Sequence, residues 1–196
     1  HVSDALGIEP IAGGRHPDMG THNALLRLGE RAYLEVIAVD PASPAPGSPR
    51  WFDLDGERTR AALHERPRLL TWVARTRDLE ALVTTASWNA GPIRRMRRGE
   101  LTWRIAFPAD GSLLEHGLLP PFIEWDPGTN HPAVRLPDAG CRLAALHGAH
   151  RDPRRISTAL GSVGLEDALV LDQAEPGKGS MLHAEIVTPH GNRALG

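Results

Sequence analysis

Three acidic residues share one setting. Glu35 in Tyr33-Leu34-Glu35-Val36-Ile37, Glu124 in Phe122-Ile123-Glu124-Trp125 and Glu185 in Ala184-Glu185-Ile186-Val187 each sit among apolar neighbours in a strand-like run. A carboxylate in a strand can face water on the open side of a sheet. Held on an inner face, it gains a raised pKa and can move a proton. Three acids at matching places favour a shared inward orientation. Glu35 and Glu124 are the candidate catalytic residues, as proton-moving acids. The alternative for each is an ion pair with an arginine such as Arg104 or Arg27.

A second concentration of polar chemistry is Gly13-Gly14-Arg15-His16-Pro17-Asp18-Met19-Gly20-Thr21-His22-Asn23, which leads into a strand. His16, Thr21, His22 and Asn23 are candidate ligand-binding residues. His22 shares a strand face with Ala24 and can reach a pocket as an acid–base group or metal ligand. Alternatively, Thr21 and Asn23 fix the turn by side-chain–backbone hydrogen bonds, and the histidines pack against it. His131, before Pro132, follows the Glu124 strand and is placed to close over a pocket mouth or to lie in a surface loop. Trp72, Trp103 and Trp125 are core or pocket lining. Trp72, Trp125 and Arg104 join the candidate substrate-binding set.

Other patterns carry no chemistry at this level. Gly177-Lys178-Gly179-Ser180 lacks the glycine spacing of a phosphate-binding loop. His147 and His150 lie in a loop-like segment without a third ligand nearby. No Gly-x-Ser-x-Gly elbow exists. Arg94-Arg95-Met96-Arg97-Arg98 reads as a solvated strand end or hairpin, with anionic-substrate binding as its minor reading.

The elements that must position these residues recur. Val2 to Gly7 and Ile156 to Gly161 both read as helix tails ending in Ala-Leu-Gly, closed by a C-terminal glycine. A strand, Cys141 to Leu146, and a helix start at Asp152-Pro153 precede the second tail. The spacing implies a strand and most of a helix ahead of His1. A middle copy has a strand at Leu69 to Ala74 and a helix capped by Asp78. Strands then follow in each copy: Asn23 to Leu28 and Ala32 to Val39; Ile93 to Met96, Leu101 to Phe107 and Phe122 to Trp125; Ala168 to Leu171 and Leu182 to Val187. A helix over Leu54 to Arg66 links the first two copies. Asp40 to Pro49, Pro108 to Gly117 and Asp126 to Asp138 read as loops. The expected organisation is a first module over 1–50, a linking helix over 51–66, a second module over 67–138 and a partial third over 139–196, forming one domain.

With 196 residues the chain can bury a substantial core. Its 20 Gly and 17 Pro predict many loops. A net charge of −2 argues against electrostatic binding to nucleic acid or to a membrane surface. Cys141, the single cysteine, excludes an intrachain disulfide and a cysteine-based zinc cluster, which makes the cytoplasm the expected location.

The stretch from Gly13 to Leu26, with Tyr33 to Pro41, Gly117 to Trp125, His131-Pro132 and Gly140 to Leu143, resembles the glyoxalase-like domain family of the vicinal-oxygen-chelate superfamily. The resemblance covers nearly the whole chain. It implies an α+β fold of repeated βαβββ modules forming a cupped mixed sheet with helices on the outer face. It also implies a small oxygen-rich metabolite bound in the cup between modules. Metal-using relatives take ligands from the first and last strands of each module. That maps the metal set onto Glu35 and Glu124, with His22 as a further ligand, while the first-strand position of the second module falls on Thr71 or Trp72, neither a good ligand. One divalent metal would then support lyase, isomerase or dioxygenase chemistry. The alternative is a non-catalytic protein that binds or sequesters a small molecule. Edge strands of cupped sheets can pair between copies, which admits a homodimer.

Overall fold

The alternation of apolar and polar residues sets strands, and strands carry most of this chain. A computed structural model describes residues 1–129 and 131–196. Three sheets are present, each led or flanked by a short helix. The first contains α1 (Val2–Leu6), then β1 (Ile11–His16), β2 (Thr21–Arg27) and β3 (Tyr33–Val39) in the order β1-β2-β3. Helix α2 (Glu57–Glu65), capped at Gly56, links onward.

The second sheet contains β4 (Ala74–Arg75), α3 (Leu79–Thr85), β5 (Ile93–Arg98), β6 (Leu101–Ala106) and β7 (Phe122–Trp125). Its order is β4-β7-β6-β5, with β4 parallel to β7. Helix α4 (Pro132–Arg135) follows. The third contains β8 (Arg142–His150), α5 (Pro153–Gly161), β9 (Val170–Gln173), β10 (Met181–Thr188) and β11 (Gly191–Leu195), in the order β11-β10-β8-β9. The molecule is α+β, and no helix among the described residues is long and apolar enough to cross a membrane.

The helix starts follow local chemistry. Asp78 accepts from Ala81 N–H at 3.0 Å and Asp152 from Arg155 N–H at 3.1 Å, each satisfying an amide that the first helical turn leaves open. Ile156 and Leu160, four residues apart, place one face of α5 in the core with no exposure. Gly7 ends α1 in the left-handed region (φ 69).

Several elements differ from the sequence expectation. Leu69 to Val73 forms no ladder; only Ala74 and Arg75 pair, because the preceding run turns its side chains toward a cavity instead. Strands β1 and β11 are additional. Their alternation is masked by glycines in β1 and by exposed residues in β11. The third copy is therefore complete in element count, but it pairs β8 with β9 and β10, unlike the second sheet. His147 and His150 lie in β8, not in a loop. Helix α5 runs through Gly161, and the left-handed residue after it is Gly164.

Cores form between layers. Met19, Trp51, Met96, Trp103, Ile105 and Ile123 pack between the first and second sheets. Leu6, Leu26, Cys141, Ala184 and Ile186 join the first and third. Strands β1 and β5 approach one another and connect the first two sheets beside the cavity described next.

Candidate functional site

A cavity of about 500 Å³ opens between the first and second sheets, with the 67–75 segment along one wall and Leu143, Leu146, Ala184 and Leu195 of the third sheet also lining it. Period-two alternation decides which strand residues reach it. On β3, Tyr33, Glu35 and Ile37 share a face with Asn23 and Leu25 of β2, as the Ile37–Asn23 and Glu35–Leu25 pairs require. On β7, Ile123 and Trp125 line the cavity and Glu124 turns away.

Glu35 is held by its neighbours. Asn23 Nδ2 donates to Glu35 Oε1 at 2.5 Å. Asn23 Oδ1 accepts from Gly14 N–H at 2.8 Å. The second bond arises because β1 bulges at Gly13-Gly14, where its register against β2 shifts. The bulge leaves an amide for the side chain to satisfy, and that fixes which way the Asn23 amide points. A Cβ at Gly13 would lie 2.1 Å from Asn23 Oδ1, and one at Gly14 would lie 2.9 Å from Arg98 Cδ. Gly13 is therefore required by close approach, whereas at Gly14 the flexible Arg98 side chain would have to shift.

The Glu35 side chain keeps 29% exposure because it opens on the cavity. Protein still surrounds the carboxyl, and this desolvation raises its pKa. The Asn23 bond and the Arg98 charge oppose the rise without cancelling it. Arg98 Nη1 lies 3.4 Å from His16 Nε2, and His16 Nδ1 lies 3.2 Å from Thr21 Oγ1. Burial, reinforced by Arg98, lowers the His16 pKa to about 3. The ring is neutral, with Nδ1–H donating to Thr21 and Nε2 accepting from Arg98. It is held edge-on against Trp51, centroids 5.0 Å apart.

At the cavity rim, His131 stands edge-on to Tyr33 and Trp125 at 5.4 and 5.8 Å. Its Nδ1 accepts from Ala133 N–H at 3.3 Å, which places the ring proton on Nε2. Burial, then Arg75, lowers its pKa to about 4. Burial, then Glu35, raises that of Tyr33. Trp72 lines the wall and donates from Nε1 to Leu118 C=O at 3.0 Å.

The structure thus gathers His16, Glu35, Trp72, Trp125 and His131 at one cavity, with Thr21 and Asn23 directly behind them. It does not bring Glu124, Arg104 or His22 there. Glu124 faces helix α3, where it accepts from Leu79 N–H and from Arg104, both at 2.8 Å. Arg104 also pairs with Glu80. His22 is exposed on the outer face of β2, because the period that buries Thr21 and Asn23 points it away. Glu185 lies on β10 of the third sheet, outside the cavity lining.

Arg98 belongs to the basic run for which anionic-substrate binding is the minor reading, and the sequence does not single it out from its neighbours. The signal for it was Met96, the apolar member of the basic run: Arg94, Met96 and Arg98 share a strand face, and Met96 is buried. Tyr33 and Arg75 were also missed. Nothing in the sequence reveals the rim contacts they make.

A divalent ion in a catalytic site needs about three His, Asp or Glu donors. Among the described residues no such group of three comes together. Near Glu35 the available donor is His16, its Nε2 3.9 Å away. That nitrogen already faces the fixed positive charge of Arg98, which opposes a second cation. The ligand set of Glu35, Glu124 and His22 implied by the family resemblance is not assembled, and these residues do not fit a resident divalent metal.

The sequence profile of the glyoxalase-like domain matches residues 1–164, a span that includes the first and second sheets and Glu35. No curated protein matches the chain. Among solved structures the chain is similar to a hypothetical protein from Staphylococcus aureus, with a TM-score of 0.56 and 14% identity. That likeness covers 99% of this chain and 77% of the other, and at such identity it is a likeness of fold.

Proposed function

Since the chain belongs to the glyoxalase-like domain family, we propose that its cavity takes a small oxygenated metabolite and that Glu35 moves a proton on it. The observation that supports this most directly is Glu35 itself. It is a half-buried carboxyl with a raised pKa, oriented by Asn23 and set beside the Arg98 guanidinium. A base works best when its pKa approaches the working pH, and burial moves Glu35 in that direction. The reaction class is proton abstraction next to a carbonyl. The C–H bond breaks, the proton passes to a Glu35 carboxylate oxygen, and the electron pair moves into the carbonyl as an enolate. Arg98 faces the oxygen that gains charge. Return of the proton to the same or a neighbouring carbon gives exchange or isomerisation. His16 holds Arg98 from behind, and the apolar walls exclude water.

The test needs no knowledge of the natural substrate. The protein is incubated in D2O with a panel of small 2-oxo acids and 1,3-dicarbonyl compounds, and loss of the C–H signal is followed by proton NMR. Wild type is expected to accelerate exchange, and Glu35→Gln is expected to lose at least about a hundredfold, the usual contribution of a positioned base. Binding without exchange would make the protein a non-catalytic binder, and the proton-transfer reading would then be wrong.

A further inference from the structure

The chain holds nine aromatic residues: 5 Trp, 1 Tyr and 3 Phe. Six of them line this single cavity: Tyr33, Trp51, Phe52, Trp72, Trp103 and Trp125. Four of the six also belong to the hydrophobic cluster between the first and second sheets, where Trp51 and Trp103 are buried and Phe52 and Trp125 pack against them, so the cavity wall and that core share their aromatic residues. Backbone strain accompanies the arrangement. Phe52 and Asp53 adopt left-handed φ values of 59° and 55°, and this turn stacks Phe52 on Trp51 at 5.2 Å and sets both rings on the wall. Non-glycine residues in that region cost about 1–3 kcal/mol each and persist where the surroundings enforce them.

The charge around the wall is one-sided. Arg31, Arg68, Arg75 and Arg98 line the cavity against one acid, Glu35. Arg68 has Glu65 3.7 Å away. Arg31, Arg75 and Arg98 take part in no ion pair among the described residues. Guanidinium groups outside any ion pair, set beside aromatic faces, are matched by a planar anion. The anion pairs with Arg98, and the ring stacks on the indoles.

We infer that the ligand is a planar aromatic or conjugated acid, its anionic oxygens at Arg98 and its ring between the tryptophan-bearing walls. The inference rests on the proposed use of this cavity and narrows it to a chemical class. A volume of about 500 Å³ accommodates a ligand of one or two fused rings with substituents, within the common range of about 300–1,000 Å³ for small-molecule sites.

Three probes of nearly equal size test it by isothermal titration calorimetry: 2-naphthoate, the neutral 2-naphthylmethanol and the saturated decahydro-2-naphthoate. The aromatic acid is expected to bind at least about tenfold more tightly than either comparison compound. Arg98→Gln should abolish its advantage over the alcohol. Trp125→Leu should abolish its advantage over the saturated acid. Phe52→Leu, at a half-buried rim position, gives the same readout if Trp125→Leu does not fold. Equal binding of the saturated acid, equal binding of the alcohol, or no binding of 2-naphthoate would each overturn the ligand class. Exchange on an aliphatic carbonyl compound without aromatic preference would overturn this inference and leave the proton-transfer reading intact. Selective binding of 2-naphthoate with no exchange on any compound would do the reverse.

Discussion

Asn23 and Glu35 meet across neighbouring strands at 2.5 Å, and the same Asn23 amide is anchored at its other end by the Gly14 N–H. A backbone irregularity in β1 is thereby converted into a fixed orientation of a carboxyl two strands away. The bulge presents an amide, the asparagine spans it, and the acid receives a donor that favours its charged form. Burial pulls the other way and prevails.

Removing the donor should therefore push Glu35 further from the ordinary carboxylate range. Asn23→Ala is expected to raise the Glu35 pKa above that of wild type, and Arg98→Gln to raise it as well. Both changes delete something that stabilises the carboxylate. Carbon-13 NMR titration of labelled Glu side chains reads the shift directly. An unchanged or lower value in Asn23→Ala would show that the hydrogen bond does not tune the acid.

Gly13→Ala tests the same link through the backbone. A Cβ there would overlap Asn23 Oδ1, so the amide must move. A loss of about 1–3 kcal/mol in urea unfolding is expected, the usual cost of forcing extra volume into a packed site. The Glu35 titration should shift upward together with it. A destabilised protein with a wild-type Glu35 titration would separate the bulge from the acid.

Glu124→Ala should behave differently from Glu35→Gln. Glu124 holds the start of α3 and Arg104, on the face of the sheet away from the cavity. Its loss leaves a helix-start amide and a guanidinium short of a partner, at about 1–3 kcal/mol. Binding of 2-naphthoate and exchange in D2O should survive. Loss of either with the fold intact would return Glu124 to the functional site.

Much of this was legible in the residues. The repeated strand–helix–strand order, the Asp78 and Asp152 caps and the inward Glu35 follow from periodicity and capping chemistry. Glu124 and His22 were misplaced for one shared reason. The acid-in-apolar-run pattern is the same for Glu35 and Glu124, yet a strand has two faces, and both can be buried when a helix covers the outer one. Glu124 is half-buried under α3, so its apolar neighbours could not reveal which side it takes. His22 failed through the same two-residue period, one step from the buried Thr21 and Asn23. Arg98 was concealed because long arginines look solvated in sequence, although their stems can lie along an apolar wall.

Acid should weaken the fold through the same neutral histidines that line the cavity. His16 has a folded pKa of about 3 and His131 of about 4, against an ordinary value near 6.5. Between those limits the unfolded chain binds protons that the folded chain refuses, so stability rises with pH. The full contribution is present above about 6.5 and is lost as pH falls toward 4 and then 3. Asp138, tied to Arg142, acts in the same direction, but its folded pKa lies below the ordinary carboxylate value, so its loss begins only near or below pH 4. Glu35 has the opposite sign: its raised pKa means the folded state holds a proton more firmly, and stability falls as pH rises above 4.5. The window from about 4.5 to 6.5 therefore sets two histidines against one acid. Buried His16 contributes a slope of up to about 1.4 kcal/mol per pH unit, with half-buried His131 adding less. Urea midpoints measured across pH 4.5 to 7.5 are expected to climb in wild type and to climb more steeply in Glu35→Gln. The climb should be markedly flatter in His16→Gln, whatever that variant loses in overall packing. A parallel profile in His16→Gln would mean that His16 has the same pKa in the folded and unfolded chain, and that burial and Arg98 do not hold the ring neutral.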